Sequence, residues 1–501
     1  MSNNSPVLVA VGQQVYRDKD ASRSLVDALV DASEAAITDA NCPGITEAID
    51  TVVNVPFMME AVPEMRALTT PNVASALAER VGVSAQLFTA GVGGSLPQFF
   101  VNRFADRLVK GESEVVLIAG AELLATMFHA FRTGADVSHW TQGGTQASVS
   151  LGQNSDMTLP TEGDHGLFEP INVYPLFESA IRHHKGFTLQ QQQSVLGSMV
   201  SRFSEVAANN PYAWRQQALT PEQALSTDDG NRMVVYPYTK AMNAILQVDQ
   251  SAAVIMTTAG KARELGIDPS QMVYLRGGAE ARDAEYVTGR VNYYSSPALE
   301  RLMPQALAMA GLSVDDMHHF DLYSCFPSAV EVACDALGIA VDDPRGLTLT
   351  GGLFQFGGPG NNYSMHGIAE MVARLRESGE GHGLVNANGG YITKHAVGVY
   401  STEPGAWDLS RRIDRQAEID ALDAPALASN PQGPGVIEAH SVRYEKGEPA
   451  LGIVIGRLDS GERFLAHTDS SPEVLAQLIG EDAVGVRGQV STGEKANRFE
   501  F

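Results

Sequence analysis

Three cysteines in 501 residues, Cys42, Cys325 and Cys334, are too few for a disulfide framework, and no C-x-x-C spacing offers a zinc site. Their scarcity points to a reducing, cytoplasmic setting. Positive charge is also short: 35 Lys and Arg stand against 59 Asp and Glu, a formal net charge of −24. So acidic a surface repels phosphate backbones and anionic lipid, which argues against nucleic acid and membranes as partners. No apolar run approaches the roughly 18 residues of a membrane helix, and residues 115–119 have instead the length of a buried strand. At the amino terminus, residues 1–6 hold no basic stretch, and the apolar run 7–12 is too short for an export signal. Disorder is excluded as the main character by a composition that is 44% hydrophobic and 19% charged.

What is present is an alternation of strand and helix. Residues 7–11 read as a buried strand. Residues 22–40 read as a helix, with Leu25, Ala28, Leu29, Ala32 and Ala36 at three- and four-residue spacing. A strand at 52–55 and a helix at about 72–81 continue the rhythm, which predicts helices layered on a mostly parallel sheet. A weak internal repeat then appears. In one copy Gly93-Gly94-Ser95-Leu96-Pro97 leads into a helix to Lys110, a turn, and a strand at 115–119. In the other, Gly357-Gly358-Pro359-Gly360-Asn361-Asn362 leads into a helix to Glu377, a turn, and a strand at 384–388. Each Gly-rich loop opens a helix, where free backbone N–H groups can hold an anion or a polarised carbonyl oxygen. Tight packing of the loop is the competing explanation for either copy alone.

A polar insertion at about 123–246, carrying several histidines and Asn209-Asn-Pro-Tyr-Ala-Trp214, is expected to form a lid or substrate wall. Residues 406–434, rich in Pro, Ala and charge, read as a linker. From 435 to 501, short strands, a helix at 471–479 and glycines at 485 and 488 predict a small β unit, a partly open barrel of the OB type.

Some motifs fail on inspection. Tyr236-Pro-Tyr-Thr-Lys240 has the spacing of a dehydrogenase Tyr–Lys pair, but Pro237 interrupts it and no G-x-G-x-x-G follows the first strand. The adjacent pairs His183-His184 and His318-His319 do not present two ligands to one metal, and no metal site is expected.

The strongest signal is Phe320-Asp-Leu-Tyr-Ser-Cys-Phe-Pro-Ser-Ala, running to Ala336-Leu-Gly338, followed by Gly351-Gly-Leu-Phe-Gln-Phe-Gly-Gly-Pro359. These segments resemble the thiolase superfamily, in the branch related to the thiolase part of sterol carrier protein X. The likeness extends to Val248-Asp-Gln-Ser-Ala-Ala253 and covers about residues 5–405. It implies a duplicated five-layered α/β/α/β/α core with a loop domain. The corresponding division is residues 1–265 as the amino-terminal half, with the loop domain at 123–246, and 266–405 as the carboxyl-terminal half. It also implies acyl-CoA substrates, a nucleophilic cysteine, a second cysteine as acid/base, and oxyanion holes for chemistry α to a thioester.

At each principal position this chain departs from the pattern. The nucleophile loop falls on residues 91–97 and has no cysteine. The His-Asp-Cys-Phe place holds Tyr323-Ser324-Cys325-Phe326, and the Gly-His-Pro place holds Gly357-Gly358-Pro359. The final Cys-x-Gly place falls on Asn386-Ala-Asn388-Gly-Gly390. With the extra carboxyl-terminal domain, this departed pattern resembles thiolase-like proteins of type 1. That resemblance implies a thiolase fold with a fused small β domain; the retained Gly-rich loops beside a rewritten polar pocket point to an acyltransferase-type protein acting on a thioester without the usual cysteines, or alternatively a non-catalytic acyl-CoA-binding or partner-binding protein. Coenzyme A enters as substrate or ligand rather than cofactor, and the chain is a monomer or homodimer. Candidate catalytic residues are Tyr323, Ser324, Cys325, His366, Asn386, Asn388 and His395. Gly93, Gly94, Ser95, Gly357, Gly358, Asn361 and Asn362 are candidates for substrate binding, and Lys394 lies on the same loops. Two readings of Cys325 stay open: a displaced nucleophile served by His366 or His395, or a small buried hydrophobe before a helix.

Overall fold

A computed structural model describes residues 3–152, 157–228, 230–480 and 482–501; Met1 and Ser2 of the amino-terminal segment lie outside it. Ten strands form one continuous sheet. The first half contributes Pro6–Val15, Thr51–Val55, Gln86–Ala90, Val115–Leu123, Val149–Leu151 and Asp249–Thr258. The second contributes Val273–Arg282, His319–Leu322, His382–Gly389 and Lys394–Ser401. The halves meet where Val7 and Leu8 pair antiparallel with Tyr274 and Val273.

Alternation along the strands creates the layers. Val7, Val9, Val52 and Leu117 face the outer helices Leu25–Asp39 and Val73–Val81, while Leu8, Val53, Ile118 and Val254 face inward. In the second half Val273, Leu275 and Val385 face inward, while Leu384, Val397 and Val399 face the helices Pro297–Ala310 and Pro327–Leu337. Between the two inner faces lie the repeated helices, Leu96–Lys110 and Tyr363–Ser378, burying Phe100, Phe104, Met365 and Ile368. This is the duplicated α/β/α/β/α arrangement.

The insertion supplies the long helices Pro170–Lys185 and Leu189–Asn209. It also supplies two short strands, Met233–Tyr236 and Tyr238–Thr239, in the place of the supposed Tyr–Lys helix. Its strand Val149–Leu151 pairs with Gln86–Ala90 at the sheet edge. The carboxyl-terminal strands Gly433–Glu445, Glu448–Leu458, Arg463–Thr468, Arg498–Glu500 and Arg487–Ser491 pair in a ring that closes when Gly433–Val436 returns against Arg487–Val490. The barrel is therefore closed rather than partly open. The far end of its first strand pairs with the insertion, Val442 opposite Tyr236, so barrel and loop domain share one sheet.

Residues 406–434 run as a strap over the core. Trp407 is buried and donates to Asp106 at 2.8 Å, Arg412 pairs with Asp106 and Glu280, and the Gln416 side chain bonds both the N–H and the C=O of Arg282 at 2.9 Å.

Arg463 pins the barrel to the second half. Its guanidinium is fully buried, donates to the carbonyls of Thr288 and Arg290, pairs with Glu438 at 3.1 Å, and lies over the Tyr293 ring. Arg463→Met strips those carbonyls of their donor and is expected to cost on the order of 3 kcal/mol. Urea denaturation measures the loss, and limited proteolysis should release the barrel first; a variant as stable and as protease-resistant as the parent contradicts this anchoring role.

Candidate active site

The loops named from sequence converge where the two halves meet, but their side chains divide into three groups. The first is a sealed cluster around Tyr323, Cys325 and Asn388. Gly94 packs so closely here that a Cβ would stand 2.5 Å from both the Asn388 carbonyl oxygen and the Tyr323 hydroxyl. Tyr323 thus fills the space beside the first Gly-rich loop. Asn388 donates to the Tyr174 hydroxyl at 3.0 Å and lies 4.0 Å from the Cys325 sulfur. Tyr174, carried in from the loop domain, also donates to the Gly390 carbonyl at 2.9 Å and stacks on Phe326 at 4.4 Å. Burial pushes the Cys325 thiol up to about 12, even though Tyr174 and Asn388 bond to the sulfur and lower it. At neutral pH it is a protonated, inert thiol. Ser324 turns away from this cluster, its hydroxyl accepting the Leu353 N–H at 3.3 Å.

The second group follows the Gly357–Asn362 loop. Gly357 and Gly358 pack against Gln250 and residues 244–245. Asn361 accepts the Gly93 N–H at 2.9 Å and donates to the Pro56 carbonyl, while Asn362 donates to the Gly120 carbonyl at 2.6 Å. The two Gly-rich loops are thereby tied directly together. Beneath them sits Glu122, which sequence reading did not single out. It is fully buried and accepts the N–H groups of Met58 and Asn361, both at 2.9 Å. Burial pushes its carboxyl up to about 8, against the lowering effect of those donors. Its only sequence signal was a carboxylate inside an otherwise apolar strand. Asp321 plays a similar part, accepting the N–H groups of Leu349 and Thr350, and burial raises it to about 6.

The histidines lie apart from Cys325, whose polar neighbours are Tyr174 and Asn388. His366 faces the Gln13 amide oxygen at 2.7 Å and the Phe356 ring, and burial drives it down to about 3, so it is neutral. His395 is fully buried, its Nε2 3.1 Å from the Ile392 carbonyl and 3.5 Å from Asp283. Burial raises the Asp283 carboxyl, but Arg290, His395 and Ser296 outweigh this and hold it below the usual carboxylate range. His183 instead pairs with Asp482, and His184 stacks on Tyr294. No cluster suited to a metal occurs among the described residues. Several buried polar atoms of the convergent loops lack a protein partner: Glu122 Oε2, Asn362 Oδ1, Asn386 Nδ2, Asn388 Oδ1 and His366 Nε2.

The third group opens to a cavity of about 620 Å³. Residues 90–93, Ser95 and Leu96 form one side, Lys394 and His395 another, and Arg412, Ile413 and Gln416 of the strap the roof. Gly93 lies under the Lys394 side chain. A second cavity of about 470 Å³ lies between the helix Leu189–Asn209 and residues 341–349.

Two outcomes follow. Alkylation by iodoacetamide at pH 7.5, mapped by mass spectrometry, should leave Cys325 and Cys334 unmodified until denaturant is added; rapid native labelling of Cys325 contradicts the sealed-thiol description. For Glu122 the folded state keeps its proton to about pH 8, whereas the unfolded chain loses it near 4.5. Between those values the native state binds more protons, so rising pH erodes stability by up to about 1.4 kcal/mol per unit, and the slope ends above 8. Glu122→Gln keeps an acceptor for Met58 and Asn361 and should flatten that slope in urea titrations at pH 5, 6.5 and 8. Profiles parallel to the parent's would refute the assignment.

Comparison with known proteins places this geometry. Residues 414–495 match the family model described as the thiolase-like protein type 1 additional C-terminal domain. A 3-ketoacyl-CoA thiolase from Salmonella heidelberg is 30% identical over 164 residues, which is 29% of this chain and 35% of that protein. The chain therefore spans about a third of the length of the curated relatives it matches. An acetyl-CoA acetyltransferase structure from Syntrophomonas wolfei superposes with a TM-score of 0.57 at 16% identity, over 80% of this chain and all of that one, a likeness of fold. The crystal structure of a monomeric SCP2-thiolase like protein type 1 from Mycobacterium smegmatis matches over 100% of both chains, with a TM-score of 0.85 and 35% identity. On that full-length likeness, the chain belongs to the SCP2-thiolase-like proteins of type 1 of the thiolase superfamily.

Proposed function

We propose that this protein binds an acyl thioester of coenzyme A and acts on it, as an acyltransferase of thiolase type, without a cysteine nucleophile. One observation carries the reading: the cavity of about 620 Å³ opens onto the first Gly-rich loop, Lys394 and His395, while Cys325 stays sealed behind Tyr323 and Tyr174. The loop enters the 15-residue helix Leu96–Lys110, so the helix dipole favours a polarised carbonyl oxygen there. Thiolysis by the family's cysteine route does not fit, since a thiol held near 12 supplies almost no thiolate at neutral pH.

The sealing of Cys325 and the neutrality of His366 also favour a second reading, ligand binding without turnover. Calorimetric titration with CoA and acetoacetyl-CoA, followed by a thioester-consumption assay, separates the two. Saturable binding with turnover retained in Cys325→Ala supports the first, and binding without turnover supports the second. Absence of binding at millimolar ligand removes both.

A further inference from the structure

The register of the second half sets two cations against each other at the mouth of the roofed cavity. Lys394 and Arg282 are direct partners across the antiparallel strands Lys394–Ser401 and Val273–Arg282. Directly opposed residues share a face with Cβ atoms about 5 Å apart, and like charges there repel. The other cations of this cavity are neutralised: Arg412 pairs with Asp106 and Glu280, and Arg103 with Glu280 at 3.3 Å. The Lys394 side chain makes no ion pair or hydrogen bond among the described residues, although Glu285 is near enough to attract its charge. Its stem lies over Gly93, and the residue lines the cavity.

We propose that the Lys394 amine is a nucleophile that forms an imine with the carbonyl carbon of a small ketone or aldehyde bearing an anionic group, with Arg282 receiving the anion. The Nζ lone pair adds to the carbonyl carbon and the carbonyl oxygen takes up a proton. The resulting carbinolamine then loses water, leaving a protonated imine, and no oxidant or reductant is consumed. Burial lowers the amine's affinity for its proton; Glu285 opposes it, and Arg282 adds a smaller lowering effect. The free amine is therefore more abundant at neutral pH than on an exposed lysine. This inference goes beyond the thioester reading, because it requires the cavity and the cation pair but no coenzyme A.

The test uses the full chain with pyruvate and sodium cyanoborohydride at pH 7, and peptide mapping of the reduced adduct. The chain has eight lysines, so selectivity is measurable within one sample. Lys394 should be labelled at least about tenfold faster than Lys446, which sits exposed in a turn between barrel strands. That ratio should fall as pH rises towards 10, where exposed amines also lose their proton, and it should fall in Arg282→Gln. Equal labelling of Lys394 and Lys446 at pH 7, or a ratio indifferent to pH, overturns the proposal. Both readouts of the pH series come from the unsubstituted protein, so neither depends on a variant folding. Calorimetry with CoA reports separately on the thioester reading.

Discussion

The structure depends on a backbone contact between two glycine-bearing loops, one from each half. No side chain fits at Gly94, where a Cβ would stand 2.5 Å from the Asn388 carbonyl oxygen. On the other side, a Cβ on Gly389 would lie 3.1 Å from both the Gly94 nitrogen and the Ser95 hydroxyl. Glycine is required at Gly94, and Gly389 keeps the facing side of the contact close. That contact fixes the start of the helix Leu96–Lys110 against the end of the strand His382–Gly389, so the middle layer and the second half are held in one register. It also decides which way the helix start can look. Tyr323 closes the inner side, and the face that remains open is the one under the strap.

The electrostatics follow from this closure. A helix amino terminus contributes roughly 0.3–1 kcal/mol towards a nearby anion, more in favourable buried geometry, while desolvating a thiolate without a cation costs several. The rise of Cys325 to about 12 shows which effect wins. Carboxyls take a positioning part instead: Glu122 holds the N–H groups of Met58 and of Asn361 in the second Gly-rich loop, and Asp321 those of Leu349 and Thr350 just before Gly351. Because Glu122 stays protonated below about pH 8, its bonds are those of a neutral acceptor, worth about 0.5–1.5 kcal/mol apiece, and they offset part of the freedom that the loop glycines have in the unfolded chain. Since burial raises both carboxyls, their hold on the loops is tied to protonation.

How far this was legible from sequence differs by level. Alternation in residues 7–11 and 115–119, the three- and four-residue spacing of Leu25 to Ala36, and the repeated Gly-rich loop before a helix each report burial on a regular lattice, and a local pattern is enough to read them. The loops carrying Gly94, Asn361 and Asn388 were readable as convergent only through the resemblance to the thiolase fold, which brings them together. Tyr174 was not readable. It reaches Asn388 from a helix more than 200 residues earlier, and nothing in its own neighbourhood signals that contact. The opposition of Lys394 and Arg282 depends on strand register, which sequence fixes only through pairing partners far apart in the chain. The residues expected to link domains were rich in Pro and charge, but Trp407, Arg412 and Gln416 find partners only once helix Leu96–Lys110 and strand Val273–Arg282 lie side by side.

The barrel adds a constraint of a different kind. Through Val442 opposite Tyr236 it is continuous with the loop domain, and through Arg463 it grips the carbonyls of Thr288 and Arg290 in the second half. A buried arginine is a poor way to gain stability, since its desolvation offsets most of its attraction, but it specifies orientation because its fixed donors accept few partners. The same segment, 288–290, supplies Arg290, which holds Asp283 beside His395. One wall of the roofed cavity is therefore braced from behind by the barrel while the strap that leads to it forms the roof. Removing the barrel would take away that brace while the strap keeps its own bonds to Asp106, Glu280 and Arg282, so in this chain the added domain supports the site from behind.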